Sequence, residues 1–538
     1  MQWQTKEQLT ELLVSLVQHG SVTLSEQEKK LAAYIYEKLC TLRYFQQNED
    51  KIQLNKMNDN RAFVTALYKH EKATDTIVLL SHFDVVGIED YGLFKNLAFQ
   101  PIELTKKLYE NENVDLLPDE AKDHLLTGDW LFGRGTMDMK AGLTVQMGLL
   151  ERAIHEQWHV NVLLLTVPDE EVNSEGMISA LPVLNELANQ HNLTYKACIN
   201  SEPMFQLYPG DDHLYLYTGS IGKIMPGFFC YGKETHVGES LLGLNANLMV
   251  SEINRLMEWN IDLCEQVGST VTPPPTNLLQ KDLKEEYSVQ IPHTAVTLFN
   301  VQFLKKSLQE WEEAFKDIAT QAAKNIMEHT SDRIEKLAKK ISFVKPNYHV
   351  SVYTYSELLR FAEEKLGEAE IAKRIQSIIV NSSDDVREQS IKVVEELASL
   401  CKEKGPMIIL FYAPPFYPAV ATEGNDETMQ AVHTFLQEWK QKGTEWTKTN
   451  YFSGLCDLSF IGNANLQAHD LLETNIPVYG KAYSLPFEEM KAIQMPVYNL
   501  GPVGKDAHKW TERLNTSFSF SELPEMLDSF VKRIAKIE

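Results

Sequence analysis

The chain has 538 residues, 43% hydrophobic and 23% charged, an ordinary balance for a globular protein large enough to bury extensive cores. Its 75 acidic and 51 basic residues leave a formal charge of −24, which argues against nucleic acid or an anionic membrane as partner. Six cysteines without a CxxC pair indicate neither a zinc knuckle nor a redox motif. No run approaches the roughly 18 apolar residues of a membrane span and no basic-then-apolar leader pattern is present, so a reduced, cytoplasmic enzyme is expected.

Leu9, Leu12, Leu13, Leu16 and Val17 recur at helical spacing, and after a break at Gly20-Ser21-Val22 a second helix runs from Ser25 through Leu31, Ile35 and Leu39. Strands are expected near 62–68 and 76–81. The second ends in Ser81-His82-Phe83-Asp84, where the strand period of two puts His82 and Asp84 on one face. The polar stretch from Asp84 to Asp129 reads as a loop with a short helix or two. Trp130-Leu131-Phe132 then leads into Gly133-Arg134-Gly135-Thr136-Met137-Asp138-Met139-Lys140-Ala141-Gly142, a tight turn with Asp138 where turn gives way to a buried helix. The run Val162–Val167 ends in Pro168-Asp169-Glu170-Glu171, a helix follows over 175–191, and Tyr195–Asn200 ends in Ser201-Glu202-Pro203. This alternation predicts an α/β fold with a largely parallel sheet.

The pattern changes near Gly219. A strand is expected over 221–231, then Gly232-Lys233-Glu234-Thr235-His236, a helix over about 241–266 and a stiff Pro273-Pro274-Pro275 connector. One or two strands follow over 287–304, an amphipathic helix over 306–340, a strand over 348–355 and charged helices over 356–404. The β run from Pro406 is taken as the return to the first domain. The expected division is therefore 1–218, 219–405 and 406–538. Near the end, Pro496–Leu500 leads by Gly501-Pro502 to Ala507-His508, and a closing helix is expected over 521–537.

Acids and histidines thus gather behind apolar strands, and the carboxyl edge of an open α/β sheet is where ligands bind. Imidazoles and carboxylates together suit a divalent ion. Glu170 and Glu171 are two adjacent acids directly after one of these buried apolar strands.

Ser81-His82-Phe83-Asp84, Gly133 to Gly142, Asp169-Glu170-Glu171, Glu202-Pro203 and Ala507-His508 stand in the order and approximate spacing of one family. The chain resembles the co-catalytic zinc metallopeptidases that include the aminoacylases, acetylornithine deacetylase, succinyl-diaminopimelate desuccinylase and the glutamate carboxypeptidases. Its long middle section is most similar to the RocB-type arginine-utilisation proteins of bacilli. The resemblance implies a catalytic domain with a mixed, largely parallel sheet flanked by helices, interrupted by an α+β, ferredoxin-like lid domain, here enlarged by the helices after Ser356. It implies two divalent ions, zinc first with Mn2+ or Co2+ as alternatives, bridged by Asp138, with His82 and Glu202 on one and Glu171 and His508 on the other. Glu170 would be the general base and Asp84 the carboxylate behind His82. His236, in Gly232-x-x-x-His236, would donate to the oxyanion and touch substrate, from the same chain or from a partner subunit. Ser453-Gly454-Leu455-Cys456-Asp457 resembles the family's glycine turn ahead of a buried Asp, so Gly454 and Asp457 join the substrate candidates.

The implied function is a dinuclear amide hydrolase, an N-deacylase of small acylated amino acids in arginine and ornithine catabolism. The rivals are a dipeptidase or carboxypeptidase with the same metal site, and a non-catalytic metal-binding regulatory protein. The implied partners are a small-molecule or short-peptide substrate, with no nucleic acid and no membrane, in a monomer or homodimer. One departure stands out: the family often carries Arg on its lid strands to hold a substrate carboxylate, and residues 288–292 and 299–303 here contain none, with Gln302 at the comparable place.

Overall fold

A computed structural model describes residues 1–537 except 207, 209, 269, 285, 383, 424–426, 467 and 468. The chain divides into two compact units, Met1–Ile221 with Val420–Ala464 and Pro486–Glu538, and Gly222–Ala419 with Asn465–Leu485.

The apolar runs of the first unit form an eight-stranded mixed sheet. Its order is Ile52–Lys56, Ala62–Tyr68, Asn161–Val167, Asp75–His82, Thr194–Asn200, Val497–Asn499, Leu214–Tyr217, Trp446–Thr449. Ala62–Tyr68 is antiparallel to both neighbours. The next four strands are parallel to one another, Leu214–Tyr217 is antiparallel to Val497–Asn499, and Trp446–Thr449 is parallel to Leu214–Tyr217. Asn161–Val167 is buried along its whole length. Such unbroken apolar strands are what a parallel sheet covered on both faces requires. Because the four central strands share one direction, His82, the Asp169–Glu171 turn, Glu202 and the loop to His508 all emerge at one edge.

Helices flank this sheet. Lys6–Val17 opens with a capping box between Thr5 and Gln8 and buries Leu9, Leu12, Leu13, Leu16 and Val17. Lys140–Glu156, buried from Lys140 to Glu151, follows the glycine-rich turn. Leu523–Ala535 buries Leu523, Met526, Leu527, Phe530 and Val531. A small three-stranded sheet joins Trp130–Phe132 to the hairpin Gly504–Lys505/Arg513–Asn515, which carries His508 between its strands. The stretch 85–129 is more ordered than a loop. It contains the short helices Glu89–Leu97, Pro101–Leu108, Asn111–Val114 and Asp119–Thr127 around a core of Tyr91, Phe94, Leu104, Leu108, Leu117, Ala121, Leu125, Trp130 and Phe132. Its apolar residues are spread over helices too short to show a helical period.

The second unit is built on a sheet ordered Thr276–Asp282, Thr294–Phe303, Pro226–Tyr231, Met407–Tyr412, Ser351–Thr354, with Gly222–Ile224 also pairing to Thr294–Phe303. Met407–Tyr412 lies between Pro226–Tyr231, antiparallel, and Ser351–Thr354, parallel. The expected return to the first domain at 406 is therefore corrected: that strand is internal to the second unit's sheet, and the boundaries fall at 221/222 and 419/420. Residues 465–485 also belong to the second unit, so the chain passes between units four times. Gly405-Pro406 ends the helical insertion 355–404 and does not mark the domain boundary. Alternation across the sheet is clear: Phe229, Tyr231, Ile409 and Phe411 face a core with Leu358, Ile371, Ile391, Val394 and Leu397 of the inserted helices. On the other face Phe228 meets Phe299, and Tyr412 meets Phe315 of the long helix Leu308–Ala338. The helix expected over 241–266 is shorter, Ala246–Met257, because Asn245 caps it. The partner strand of Thr294–Phe303 is Thr276–Asp282, directly after the prolines rather than within 287–304.

Candidate metal and catalytic centre

His82 is the last residue of its strand. Its Nε2 lies 3.5 Å from Asp138 Oδ1, 3.4 Å from Glu202 Oε1 and 3.8 Å from Glu170 Oε2. His508 Nε2 lies 3.3 Å from Asp138 Oδ2 and 3.2 Å from Glu171. Asp138 thus presents one carboxylate oxygen to each imidazole, with Glu202 beside one and Glu171 beside the other. His82, Asp138 and Glu171 each offer one donor atom, all within 4.8 Å of one another, which makes them a group able to hold a metal ion.

Local backbone chemistry explains these positions. Asp138 does not cap the helix that follows; Met139 holds the cap position without a side-chain bond, and the Asp138 carboxylate is free to face the histidines. The Asp138–Met139 peptide is cis. Glu512 reaches back to the turn, its Oε1 accepting from the amides of Met137 at 3.3 Å and Asp138 at 3.5 Å. Its other oxygen pairs with buried Arg134 at 2.8 Å, and Arg134 is held in turn by both oxygens of Asp90. Two glycines make room for Glu202: a Cβ on Gly142 would sit 2.2 Å from the Ser201 carbonyl oxygen, and one on Gly501 would sit 1.9 Å from that of Glu202. No other residue fits either place. Asp169, Ser174, Asp506 and His508 carry φ between 55° and 69°, so four of the ten non-glycine residues with positive φ among those described border the site.

Asp84 lies behind His82, its Oδ1 3.3 Å from Nδ1. The same carboxylate accepts from the amides of Glu170 at 3.1 Å and Glu171 at 3.3 Å, and from Thr23 Oγ1 at 2.9 Å. One side chain therefore orients both an imidazole and the adjacent acidic turn, the usual arrangement around a metal-ligating histidine.

The electrostatics test whether a metal belongs here. Side chains of Asp138, Glu170, Glu171 and Glu202 are each at most 10% exposed. Among the described residues none of them pairs with Lys or Arg; their only cationic partners are the two histidines. Burial, reinforced by the neighbouring carboxylates, raises the pKa values of Glu170 and Glu202 well above the carboxylate range. His508 is pushed up to about 11 by its bonds to Asp138 and Glu171. Burial works against a charged His82, but Glu202, Asp138 and Asp84 outweigh it and raise that ring too. Buried carboxylates crowded together without a cation are unfavourable. A divalent cation held here would supply the missing charge, and the imidazole and carboxylate donors fit one.

Asp457 begins the short helix Asp457–Phe460, is buried, and is near enough to Glu170 and Glu202 to raise both. Its own pKa is pushed up to about 7, chiefly by burial. Gly454, three residues upstream, packs on the rings of Phe452 and Phe205 rather than on the carboxylates. His236 lies in the second unit, exposed, at the N-cap of the short helix Val237–Leu242. Its Nδ1 accepts from Gly238 N at 3.1 Å, which leaves the ring proton of the neutral form on Nε2. Sequence reasoning passed over Arg134, whose signal was a charged residue flanked by two glycines inside a buried run. It also passed over Glu28, which lies on the same helix face as Leu31, Ile35 and Leu39.

The profile of peptidase family M20/M25/M40 matches residues 112–533. YqjN of Bacillus subtilis (strain 168), an uncharacterized protein, is 48% identical over 539 residues, covering 100% of this chain and 98% of its own. Protein RocB of the same organism is 30% identical over 535 residues, covering 97% of this chain and 94% of its own. Among solved structures, the M20 family metallo-carboxypeptidase Sso-CP2 from Sulfolobus solfataricus superposes with a TM-score of 0.54 at 12% identity, over 98% of this chain and 99% of that one. The dipeptidase Dug1p from Saccharomyces cerevisiae gives 0.54 at 11%, over 99% and 96%. At such identities these two likenesses establish the fold. Among the described residues no helix is long and apolar enough to cross a membrane.

Proposed function

The chain belongs to peptidase family M20/M25/M40 and is a hydrolase of peptide or amide bonds, and from that premise we propose that it is a dinuclear metal-dependent N-deacylase of small acylated amino acids. The observation that carries the proposal is the shared carboxylate of Asp138, with one imidazole and one further acid on each side. Asp138 would bridge, His82 and Glu202 would hold one ion, and Glu171 and His508 the other. Zinc is the first choice for this donor set. Bound there, the ions would supply Lewis acidity toward the substrate carbonyl and the charge that lets water attack near neutral pH.

The chain's own residues do the rest. Glu170 borders His82 but is left over from the two ligand sets, so its carboxylate is available to take a proton from the attacking water. As the carbon–oxygen bond forms and the carbon–nitrogen bond breaks, the same carboxylate returns that proton to the departing amine nitrogen. Asp84 fixes the turn that carries Glu170 and the orientation of His82. Asp457 and Gly454 are assigned to the substrate side. His236 is assigned as donor, through Nε2–H, to the oxyanion that develops on the former carbonyl oxygen. His236→Ala should lower kcat about 100-fold with metal content unchanged, the usual cost of one oxyanion donor. An unchanged kcat across good substrates removes His236 from the mechanism.

An arginine- or ornithine-like side chain is the preferred substrate group, on the strength of the full-length likeness to RocB. The strands that would carry a carboxylate-binding Arg have none at 299–303, which sets this chain apart from ordinary aminoacylases. The test is a panel of acetyl, formyl and succinyl derivatives of arginine, ornithine, glutamate and leucine, run beside free dipeptides. The proposal expects an acyl arginine or ornithine to be cleaved fastest. Faster cleavage of dipeptides than of every acyl amino acid contradicts it and promotes the peptidase alternative.

A further inference from the structure

Asp169, Glu170 and Glu171 present three successive backbone amides, and each is bonded to a carboxylate from another part of the chain. Those of Glu170 and Glu171 go to Asp84. That of Asp169 goes to Glu28 Oε1 at 3.0 Å. Glu28 is fully buried, and its other oxygen accepts from Leu24 N at 2.8 Å. Arg61, also buried, reaches the same place: one terminal nitrogen lies 3.5 Å from Glu28 Oε1 and the other donates to Asp169 Oδ2 at 3.2 Å, while Nε donates to Asp59 at 2.6 Å. Asp169 Oδ2 also accepts from Glu175 N at 3.3 Å, closing the far side of the turn. Asp169 itself is held at φ 69°, a conformation that costs a non-glycine residue energy and persists only where surrounding bonds enforce it.

The bracing continues into the stretch between the first two helices. Ser21 Oγ donates to the Phe83 carbonyl at 2.6 Å, Val85 N donates to Ser21 O at 3.0 Å, and Thr23 Oγ1 donates to Asp84. Residues 21–28 thus grip both carboxylate supports of the acidic turn at once. We propose that Glu28 and Arg61 are positioning residues for Glu170, acting through Asp169, and that segment 21–28 belongs to the catalytic apparatus although it touches no substrate. This rests on the assignment of Glu170 as general base. A base on a turn free to relax toward ordinary φ would be misplaced, and small misplacements of a catalytic group cost roughly tenfold to a hundredfold in rate.

The experiment uses the full-length, metal-loaded protein and three variants. Glu28→Leu removes both acceptors and leaves Arg61 facing an apolar group. Glu28→Gln keeps the shape and one acceptor oxygen, which preserves a folded comparison should the Leu variant not fold. Arg61→Lys keeps the charge without the fork. Amide hydrogen exchange of the peptide spanning 168–176 is read beside that of 76–82, together with kcat, KM and metal content. The expected result is exchange in 168–176 about tenfold faster or more in Glu28→Gln, with 76–82 unchanged. It is accompanied by a kcat lowered about tenfold, KM within about twofold and full metal content, with a smaller loss in Arg61→Lys. Unchanged exchange overturns the brace. Faster exchange with normal kcat overturns the positioning role and leaves a structural contact only. A wild-type protein that cleaves no amide sinks the function itself, and the exchange data alone then decide whether the turn is braced.

Discussion

Glu170→Gln should keep its fold and its metal and lose about 100-fold or more in kcat. The substitution preserves shape and removes only the proton acceptor. Glu170 is buried beside His82, with Glu202 and Asp457 as electrostatic neighbours, so its side chain already points into the centre. Its backbone amide is held by Asp84, which the substitution leaves untouched. Metal content should stay at the wild-type value because Glu170 lies farther from His82 Nε2, at 3.8 Å, than Asp138 at 3.5 Å or Glu202 at 3.4 Å, and is left out of both proposed ligand sets. Metal analysis and steady-state kinetics on one sample separate the outcomes. A near-normal kcat would reduce Glu170 to loop charge.

Asp138→Ala should weaken metal binding on both sides at once. Among the described residues Asp138 alone is placed against both imidazoles, Oδ1 toward His82 and Oδ2 toward His508. Loss of a group that merely supports a ligand costs about 10- to 100-fold in metal affinity; loss of a shared ligand should exceed that at each position. Turnover should fall with occupancy and should not return on adding metal at concentrations that saturate the wild type. Full occupancy by elemental analysis would show that Asp138 does not bridge. Loss of one equivalent only would show that it serves a single ion.

Much of this centre was legible because the fold presents it simply. Parallel strands buried on both faces must be continuous apolar runs, and what stands immediately after such a run stands at the ligand edge; His82, Glu170, Glu171 and Glu202 were readable for that reason. His508 was marked less directly: it follows the run Pro496–Leu500 only after a glycine-bearing loop, and its own hairpin belongs to a separate small sheet. The extent of the second unit was not legible. A strand such as Met407–Tyr412 looks the same whether it opens a new domain or closes an old one, and only its pairing with Pro226–Tyr231 tells. The supporting groups escaped for another reason. Glu28 and Arg61 act by long-range hydrogen bonds between elements far apart in sequence, and nothing in local periodicity encodes which buried acid will meet which amide. Glu28 did leave a trace, as a charge on the apolar face of its helix, but that trace says only that something must satisfy it.

The central claim is that buried carboxylates and two imidazoles around Asp138 form a metal centre that hydrolyses amides. The most direct measurement is hydrolysis of the acyl amino acid and dipeptide panel by one preparation, before chelation, after it, and after stepwise return of zinc, with bound metal counted at each step. Turnover that vanishes on chelation and returns as occupancy approaches two ions per chain is the predicted result. Turnover that survives complete metal removal, or a fully loaded protein that cleaves nothing on the panel, would contradict it.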